Sequence, residues 1–246
     1  MSTGEQGPRV FDTSADAEAA FEAAADAVAA GEVIVLPTDT VYGVGADPFS
    51  PQAVQRLLDA KRRGRDMPPP VLVAEVEMVR SLVRGVDDRL DAIARAFWPG
   101  PLTLIATAPD SLRMDLGDRG STIAVRVPDH EFTRELLRRT GPLAVSSANI
   151  SGRDAALTIA DAVDQLGDTV SVYLDGGTMS GPVPSTIIDL SGPRPRLLRA
   201  GRLTVAEINA VVPGLLEDPD RPEGATQPDA VPPADAVADQ PGEKGD

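Results

Sequence analysis

Residues 33–45, with the sequence VIVLPTDTVYGVG, join a short apolar run to a polar loop that contains two glycines. The aliphatic run from Val33 to Leu36 is typical of a buried strand. The loop that follows holds two hydroxyls, a carboxylate and a phenol, which suits either ligand binding or an ordinary turn with Asx-type hydrogen bonds. A strand that ends in such a loop favours an α/β domain, in which binding sites lie at strand ends.

Strand-like and helix-like segments alternate on both sides of this stretch, which predicts one α/β domain with a mixed sheet. The predicted strands are residues 33–36, 41–44, 71–73, 102–107, 122–127, 143–145, 170–174, 187–190 and 195–199. The predicted helices are residues 14–30 with a Thr13 or Ser14 cap and a Gly31 end, 51–61, two between 74 and 97, 130–139, 160–166, and one begun by a Thr204–Glu207 capping box.

The two ends of the chain differ from this alternating region in composition. Residues 1–10 are polar and predicted to be disordered. Residues 215–246 are rich in Pro, Asp, Ala and Gly and carry nine acidic side chains against Arg221 and Lys244. Such a segment buries too little apolar surface to offset its ordering entropy. We therefore predict one folded domain at residues 11–214 and a disordered, acidic, proline-rich tail at residues 215–246.

Composition excludes several kinds of site. With no cysteine and one histidine, His130, the sequence has no thiolate ligands and little material for a protein-bound metal cage. It contains no P-loop, no G-x-G-x-x-G and no G-x-S-x-G. No apolar run of about 18 residues and no signal-peptide core occur, which predicts a cytoplasmic protein without membrane contact.

The formal net charge of −15 argues against a general cationic surface for nucleic acid. An anionic substrate would therefore need a local basic cluster. The sequence 61–65, KRRGR, places four cations at the end of a predicted helix. Lysine and arginine can bind polyphosphate, although cations at a helix C-terminus are also common as solvated residues.

Three later segments also carry polar groups at strand ends or on strands. In residues 121–128, STIAVRVP, the alternation puts Arg126 on the same strand face as Thr122, in a cavity or at an exposed edge. Residues 146–152, SSANISG, offer small donors and acceptors for a nucleotide, or a capped turn. The segment 184–189, PSTIID, with Arg199 after it, is a weaker signal.

Seven segments occur in a fixed order: PTDTVYGVGADPF, KRRGRDMP, FWPGPLTLI, STIAVRVP, AVSSANISG, PSTIIDL and LLRAG. Together they resemble the YrdC-type family of L-threonylcarbamoyladenylate synthases over about residues 15–212, in its short, single-domain form. The resemblance implies an open, twisted, mixed sheet with flanking helices. It also implies condensation of L-threonine, bicarbonate or CO2, and ATP to L-threonylcarbamoyladenylate and pyrophosphate.

The resemblance assigns roles to individual positions. Implied ATP-binding residues are Lys61, Arg63, Thr122, Asn149 and Arg199, of which Lys61 and Arg63 are also implied to be catalytic. Implied L-threonine-binding residues are Thr40, Arg126, Ser147 and Ser185. The sequence departs from the family pattern at three positions: many relatives have Gly in place of Arg62, several have Asn in place of Met67, and some have His in place of Leu72. A further polar contact after SSANISG falls on either Leu157 or Thr158.

The same resemblance implies cofactors and partners. Mg²⁺ is expected with ATP, and the product is expected to pass to a tRNA threonylcarbamoyl-transferase machinery, with weak tRNA or RNA binding in addition. One alternative is a non-catalytic RNA-binding module, against which the acidic charge and low aromatic content argue. A second alternative, a carbamoyl-adenylate enzyme of hydrogenase maturation, carries this domain in a longer chain with zinc fingers.

Overall fold

The computed structural model describes residues 8–85, 87–118 and 120–217. Its strands are β1 Arg9–Asp12, β2 Ile34–Leu36, β3 Gly43–Ala46, β4 Val71–Leu72, β5 Leu102–Thr107, β6 Thr122–Arg126, β7 Leu143–Ser147, β8 Val172–Asp175, β9 Thr186–Asp189 and β10 Arg196–Arg199. Its helices are α1 Ala17–Ala29, α2 Pro51–Ala60, α3 Val76–Leu82, α4 Asp88–Phe97, α5 Glu131–Thr140, α6 Ile159–Leu166 and α7 Val205–Val211.

These strands form one mixed sheet in the order β1-β8-β2-β3-β7-β4-β6-β5-β9-β10. The pairs β1–β8, β2–β8, β4–β6 and β5–β9 are parallel, and the remaining neighbours are antiparallel. The α/β class, the mixed sheet and the flanking helices predicted from the sequence are confirmed.

Alternating side chains divide the core between the two sheet faces. Ile34 and Leu36 of β2 pack on one face with α1 and α5, where the rings of Phe21 and Phe132 stack at 4.4 Å. Val35, between them in sequence, packs on the other face in the larger core. Because successive strand residues point to opposite faces, β2 is buried on both sides, as its uninterrupted apolar run predicts.

Helices α1 and α5 leave part of their sheet face uncovered. Leu72 of β4 and Val145 of β7 belong to the α1–α5 core and also line an open cleft. The cleft continues over Ala124 of β6, Ile105 of β5 and Ile187 of β9. The candidate site therefore lies on this uncovered part of the sheet.

The predicted domain boundaries need two corrections. Arg9 and Val10, expected to be disordered, begin β1, because they pair in parallel with β8. At the other end Leu215 and Leu216 are only 7% and 3% exposed, and the Asn209 side chain bonds twice to the Leu216 backbone. These two leucines belong to the folded domain. Residues 1–7 and 218–246 lie outside the described residues, so disorder there stays a prediction.

Local signals were partly correct. Asp16, and not Thr13 or Ser14, caps α1, because its carboxylate accepts the Ala19 backbone N–H. The short strand expected at residues 41–44 begins two residues later, at Gly43. The capping box of Thr204 and Glu207 is confirmed.

Within the described part of the chain, each helix is too short or too polar to cross a membrane.

Candidate functional site

The cleft contains about 750 Å³ of empty space, including the part open to solvent. Its lining residues are Thr38, Thr40, Val41, Tyr42, Gly43, Arg63, Pro68, Pro70, Leu72, Thr103, Ile105, Ala124, Arg126, Val145, Ser146, Ser147, Pro184, Ser185, Ile187 and Arg199. Six residues predicted from the sequence meet here: Thr40, Arg63, Arg126, Ser147, Ser185 and Arg199. The lining is basic, with three arginines and no carboxylate among its described residues.

Arg126 projects from β6 and is 6% exposed. Its Nε donates to the Gly100 carbonyl at 3.1 Å, Nη1 to Thr40 Oγ1 at 3.2 Å, and Nη2 to Asp39 Oδ1 at 2.6 Å. Burial lowers the pKa of Arg126, whereas Asp39 opposes that change. A buried arginine among apolar neighbours is expected to pair with an anion. Here the anion is the carboxylate of Asp39, 87 residues away in the chain.

Arg63 reaches the cleft because α2 ends in a left-handed turn. Arg62 adopts φ 52°, and the Arg63 backbone N–H donates to the Leu58 carbonyl across that turn. The Arg63 guanidinium donates to Ser146 Oγ at 3.0 Å, while its buried Nε has no hydrogen-bond partner among the described residues. Burial lowers the pKa of Arg63, and Asp66 acts in the opposite direction from outside ion-pair distance.

Arg199 lies at the end of β10 and closes one side of the cleft. Its Nε and Nη2 donate to the Ser185 carbonyl at 3.0 and 2.8 Å, and Nη2 also donates to Ser185 Oγ at 2.9 Å. That hydroxyl lies 2.9 Å from Thr103 Oγ1. Desolvation first, and then the charges of Arg126 and Arg63, lower the pKa of Arg199. The three guanidinium groups therefore act within one electrostatic field.

Lys61 occupies a different position from the one its predicted role suggests. It is 2% exposed, lies outside the cleft lining, and its Nζ donates to the carbonyls of Ser147 and Asn149. Its own carbonyl accepts the Ser151 N–H. Burial, and to a smaller extent Arg63, lowers the pKa of Lys61 to about 7. In this structure Lys61 therefore holds the backbone at the end of β7 in place and does not face the cleft.

Two other predicted ATP-binding residues also lie outside the lining. Asn149 is 6% exposed and donates from Nδ2 to the carbonyls of Ile150 and Arg153, while its buried Oδ1 finds no partner among the described residues. Thr122 begins β6, four residues before Arg126, and lies on the same face of the strand.

Leu157 and Thr158, between which the sequence leaves a polar contact open, each make a structural contact. The Thr158 hydroxyl accepts the Asp161 N–H and caps α6 in a capping box. Leu157 packs against the larger core, and its carbonyl accepts the Met179 N–H. Both lie outside the cleft lining.

Sequence reasoning missed several groups that shape the cleft. Asp39 and Ser146 lie within the sequence motifs without a predicted role, although each binds an arginine. Thr38 and Thr103 line the cleft, and the alternation within residues 102–107 could have identified Thr103. The phenol of Tyr42 donates to the Gly177 carbonyl at 2.6 Å, so that hydroxyl tightens a loop.

The sheet geometry in this region depends on one glycine. A Cβ on Gly43 would lie 2.6 Å from Val145 Cγ1, closer than real side chains approach. Glycine at this position therefore lets β3 pair closely with β7 beside the cleft.

Among the described residues, groups of three or more His, Cys, Asp or Glu side chains placed to bind a metal are absent.

Comparison with known sequences gives consistent results. The family model Sua5_yciO_yrdC, described as "Telomere recombination", matches residues 26–201. A protein of Mycobacterium tuberculosis (strain H37Rv) is 48% identical over 189 residues, which are 77% of this chain and 87% of that protein; its threonylcarbamoyl-AMP synthase name is provisional. The threonylcarbamoyl-AMP synthase of Vibrio campbellii is 35% identical over 173 residues, 69% of this chain and 93% of its own length.

A solved structure agrees with these sequences. The crystal structure of Pyrococcus abyssi Sua5 complexed with L-threonine superimposes with a TM-score of 0.76 at 33% identity. The match covers 80% of this chain and 58% of that longer protein. The resemblance found in the seven sequence segments is confirmed, and the chain belongs to the Sua5/YciO/YrdC family.

Proposed function

We propose that this protein is a threonylcarbamoyl-AMP synthase, which condenses L-threonine, bicarbonate or CO2, and ATP with release of pyrophosphate. The observation that carries the proposal is the convergence of Arg63, Arg126 and Arg199 on one cleft in a chain of net charge −15. Such a cleft attracts anionic substrates locally although the whole protein repels them. Relatives named threonylcarbamoyl-AMP synthase support the same activity, and no relative named here favours an RNA-binding module.

The amino-acid end of the cleft is built around Arg126. The guanidinium, held on three sides by protein acceptors, keeps two of its five N–H groups for the threonine carboxylate. Thr40, Ser147 and Ser185 supply hydroxyls for the threonine side chain and amine. The L-threonine in the Pyrococcus abyssi Sua5 structure supports this choice of substrate.

The ATP end is built around Arg63 and Arg199. Neither guanidinium has a carboxylate within ion-pair distance in the described part of the chain, so both are available to phosphate oxygens. Lys61 supports this end by holding the carbonyls of Ser147 and Asn149, and Thr122 extends the nucleotide site along β6. The unpartnered Asn149 Oδ1 is an acceptor, so it suits a hydroxyl or amino group of the nucleoside, since phosphate oxygens cannot donate at neutral pH.

The chemistry requires no protein nucleophile. The neutral amine of threonine adds to CO2 and releases a proton to solvent, which forms the N–C bond of a carbamate. A carbamate oxygen then attacks the α-phosphorus of ATP, and the bond to the β-phosphate oxygen breaks as pyrophosphate leaves. Positioning of the two substrates and stabilisation of the phosphate charge by arginines suffice for such a step.

Mg²⁺ fits this site as part of the nucleotide substrate. The cleft lining offers hydroxyls and guanidinium groups but no carboxylate among its described residues, so phosphate oxygens and water would hold the ion, which supplies charge neutralisation. The product, a mixed carbamic–phosphoric anhydride, passes to a transferase that modifies tRNA adenosine. We place both steps in the cytoplasm.

Incubation with ATP, L-threonine and bicarbonate, followed by mass detection of the adenylate and a pyrophosphate assay, tests the proposal. We expect both products only when all three substrates are present. Equal pyrophosphate release without L-threonine would refute the assignment.

A further inference from the structure

The three cleft arginines are not equivalent in their counter-charges. Asp39 Oδ1 lies 2.6 Å from Nη2 of Arg126, and the two side chains are only 12% and 8% exposed. Arg63 and Arg199 are instead held by the hydroxyls of Ser146 and Ser185, without a carboxylate in ion-pair distance among the described residues. The cleft thus has one neutralised cation and two uncompensated ones.

This difference matters because the three cations share one field. Arg63, Arg126 and Arg199 line the same cleft, where a polyphosphate can reach more than one of them, and the charges of Arg126 and Arg63 both lower the pKa of Arg199. Pyrophosphate or the ATP triphosphate would be attracted to an uncompensated Arg126 as strongly as to its neighbours. Binding there would block the amino-acid end.

Asp39 is placed to prevent this without contacting substrate. It lies outside the cleft lining, is only 12% exposed and contacts the Arg126 guanidinium, so it acts through that residue. Its backbone carbonyl accepts the Ser180 hydroxyl at 3.2 Å, and the Gly100 carbonyl holds Arg126 Nε from another side. The pair is therefore fixed in orientation, with Arg126 in the cleft lining and Asp39 outside it.

We infer that Asp39 is a positioning and specificity residue, whose carboxylate makes Arg126 selective for a zwitterionic amino acid over a polyphosphate. A zwitterion places its carboxylate on Arg126 while its ammonium group lowers the repulsion from Asp39. Pyrophosphate carries no cation, and each of its charges is repelled by the Asp39 carboxylate. The inference rests on the proposed function, since it assigns threonine to this end of the cleft.

Calorimetric titration of L-threonine with and without saturating inorganic pyrophosphate tests the inference. For the wild type we expect the threonine Kd to change by less than about twofold, because the two ligands occupy separate ends. For Asp39→Asn, which keeps the acceptor oxygen but removes the charge, we expect pyrophosphate to raise the threonine Kd by about tenfold. Asp91→Asn removes the same charge from the Arg80–Asp91 pair, which joins α3 to α4 at the surface, and it should behave as the wild type.

The outcomes separate this inference from the proposed function. If the wild type does not bind L-threonine at all, the proposed function fails. If the wild type binds threonine but pyrophosphate weakens it about tenfold, or if Asp39→Asn is as insensitive as the wild type, the role of Asp39 is wrong. Should Asp39→Asn not fold, Asp39→Ser, a smaller neutral side chain that admits water beside Arg126, takes its place with the same two outcomes.

Discussion

The two ends of the cleft use the same residue type in opposite ways. At one end Arg126 is nearly fully buried and paired with Asp39. At the other end Arg63 and Arg199 are bonded to serine oxygens, and desolvation lowers the pKa of each. Arg126 together with Asp39 has little net charge and a fixed orientation. Arg63 and Arg199 have no such counter-charge among the described residues, so they give that part of the cleft a net positive charge.

Under the proposed function, this difference is what would let one small cleft separate two anionic substrates. A carboxylate needs a planar fork with defined orientation, which a fixed and partly neutralised guanidinium supplies. A triphosphate carries several charges and is best stabilised by cations without internal counter-ions. The following predictions test this division, in order of decreasing effect.

Arg63→Ala is expected to have the largest effect on catalysis. Loss of a charged contact to phosphate costs about 1.5–3 kcal/mol, which lowers kcat/KM roughly 10- to 150-fold. The fold should remain intact, since the guanidinium donates only to Ser146 Oγ among the described residues. Steady-state pyrophosphate release with varied ATP measures the change.

Arg62→Ala is the matched control for this loss. Its side chain is exposed and follows the same helix end, so kcat/KM should stay near the wild-type value. An equal loss at position 62 would show that the basic cluster acts as a general field and not through Arg63.

Arg126→Lys is expected to affect only the amino-acid end. Lysine keeps the charge that pairs with Asp39 but cannot form two parallel hydrogen bonds to a carboxylate. The KM for L-threonine should rise about tenfold, equivalent to about 1.4 kcal/mol, with little change in the KM for ATP. Each substrate is titrated with the other at saturation.

Arg134→Lys provides a comparison outside the cleft. Arg134 is also largely buried and pairs with Glu75, but on α5. Both KM values should be unchanged in that variant. If Arg126→Lys weakened ATP while threonine binding held, Arg126 would belong to the phosphate end and the division would be wrong.

The sequence predicted the parts of this site that depend on local pattern. Period-two alternation placed Arg126 on the same strand face as Thr122 but left a cavity and an exposed edge open, and the structure puts Arg126 in the cleft lining. The polar segments after β2 and β7, which also suited ordinary turns, contribute residues to the same lining. Such patterns follow from geometry within one element, so a sequence carries them directly.

The remainder depends on contacts between distant segments. Asp39 meets Arg126 across 87 residues, and Ser146 meets Arg63 across 83. Strand β1 is short and mostly exposed, so residues 9–12 show no alternation of apolar and polar side chains. It forms by pairing in parallel with β8, which lies far away in the sequence. Lys61 was assigned to the cleft by its motif, whereas packing buried it behind β7.

Lys61→Met tests the buried cation beneath the phosphate end. The folded protein has the Lys61 pKa at about 7, below the ordinary value of about 10.4 in an unfolded chain. Between these values the unfolded state binds a proton that the folded state has released, so the free energy of unfolding rises with pH, by at most about 1.4 kcal/mol per unit. Methionine has no such proton.

Urea denaturation of both proteins from pH 7 to 9 measures this effect. The free energy of unfolding of the wild type should gain on that of Lys61→Met as the pH rises, because the other titrating groups are common to both and cancel. A constant difference would mean that Lys61 stays charged in the folded protein, held by the carbonyls of Ser147 and Asn149.

Arg62→Gly should have the smallest effect, and on stability alone. Arg62 adopts φ 52° at the end of α2, a left-handed conformation that costs an L-residue roughly 1–2 kcal/mol and glycine nothing. Glycine also loses more chain entropy on folding, so the net gain in free energy of unfolding should be about 0.5–1 kcal/mol. Arg62→Ala keeps the Cβ and should leave stability near that of the wild type. Denaturation of the three proteins, with kcat and both KM values measured in parallel, tests the turn. Unchanged kinetics with higher stability would show that residue 62 only aims Arg63 at the cleft, whereas a loss of activity in Arg62→Gly would place the Arg62 charge at the phosphate end.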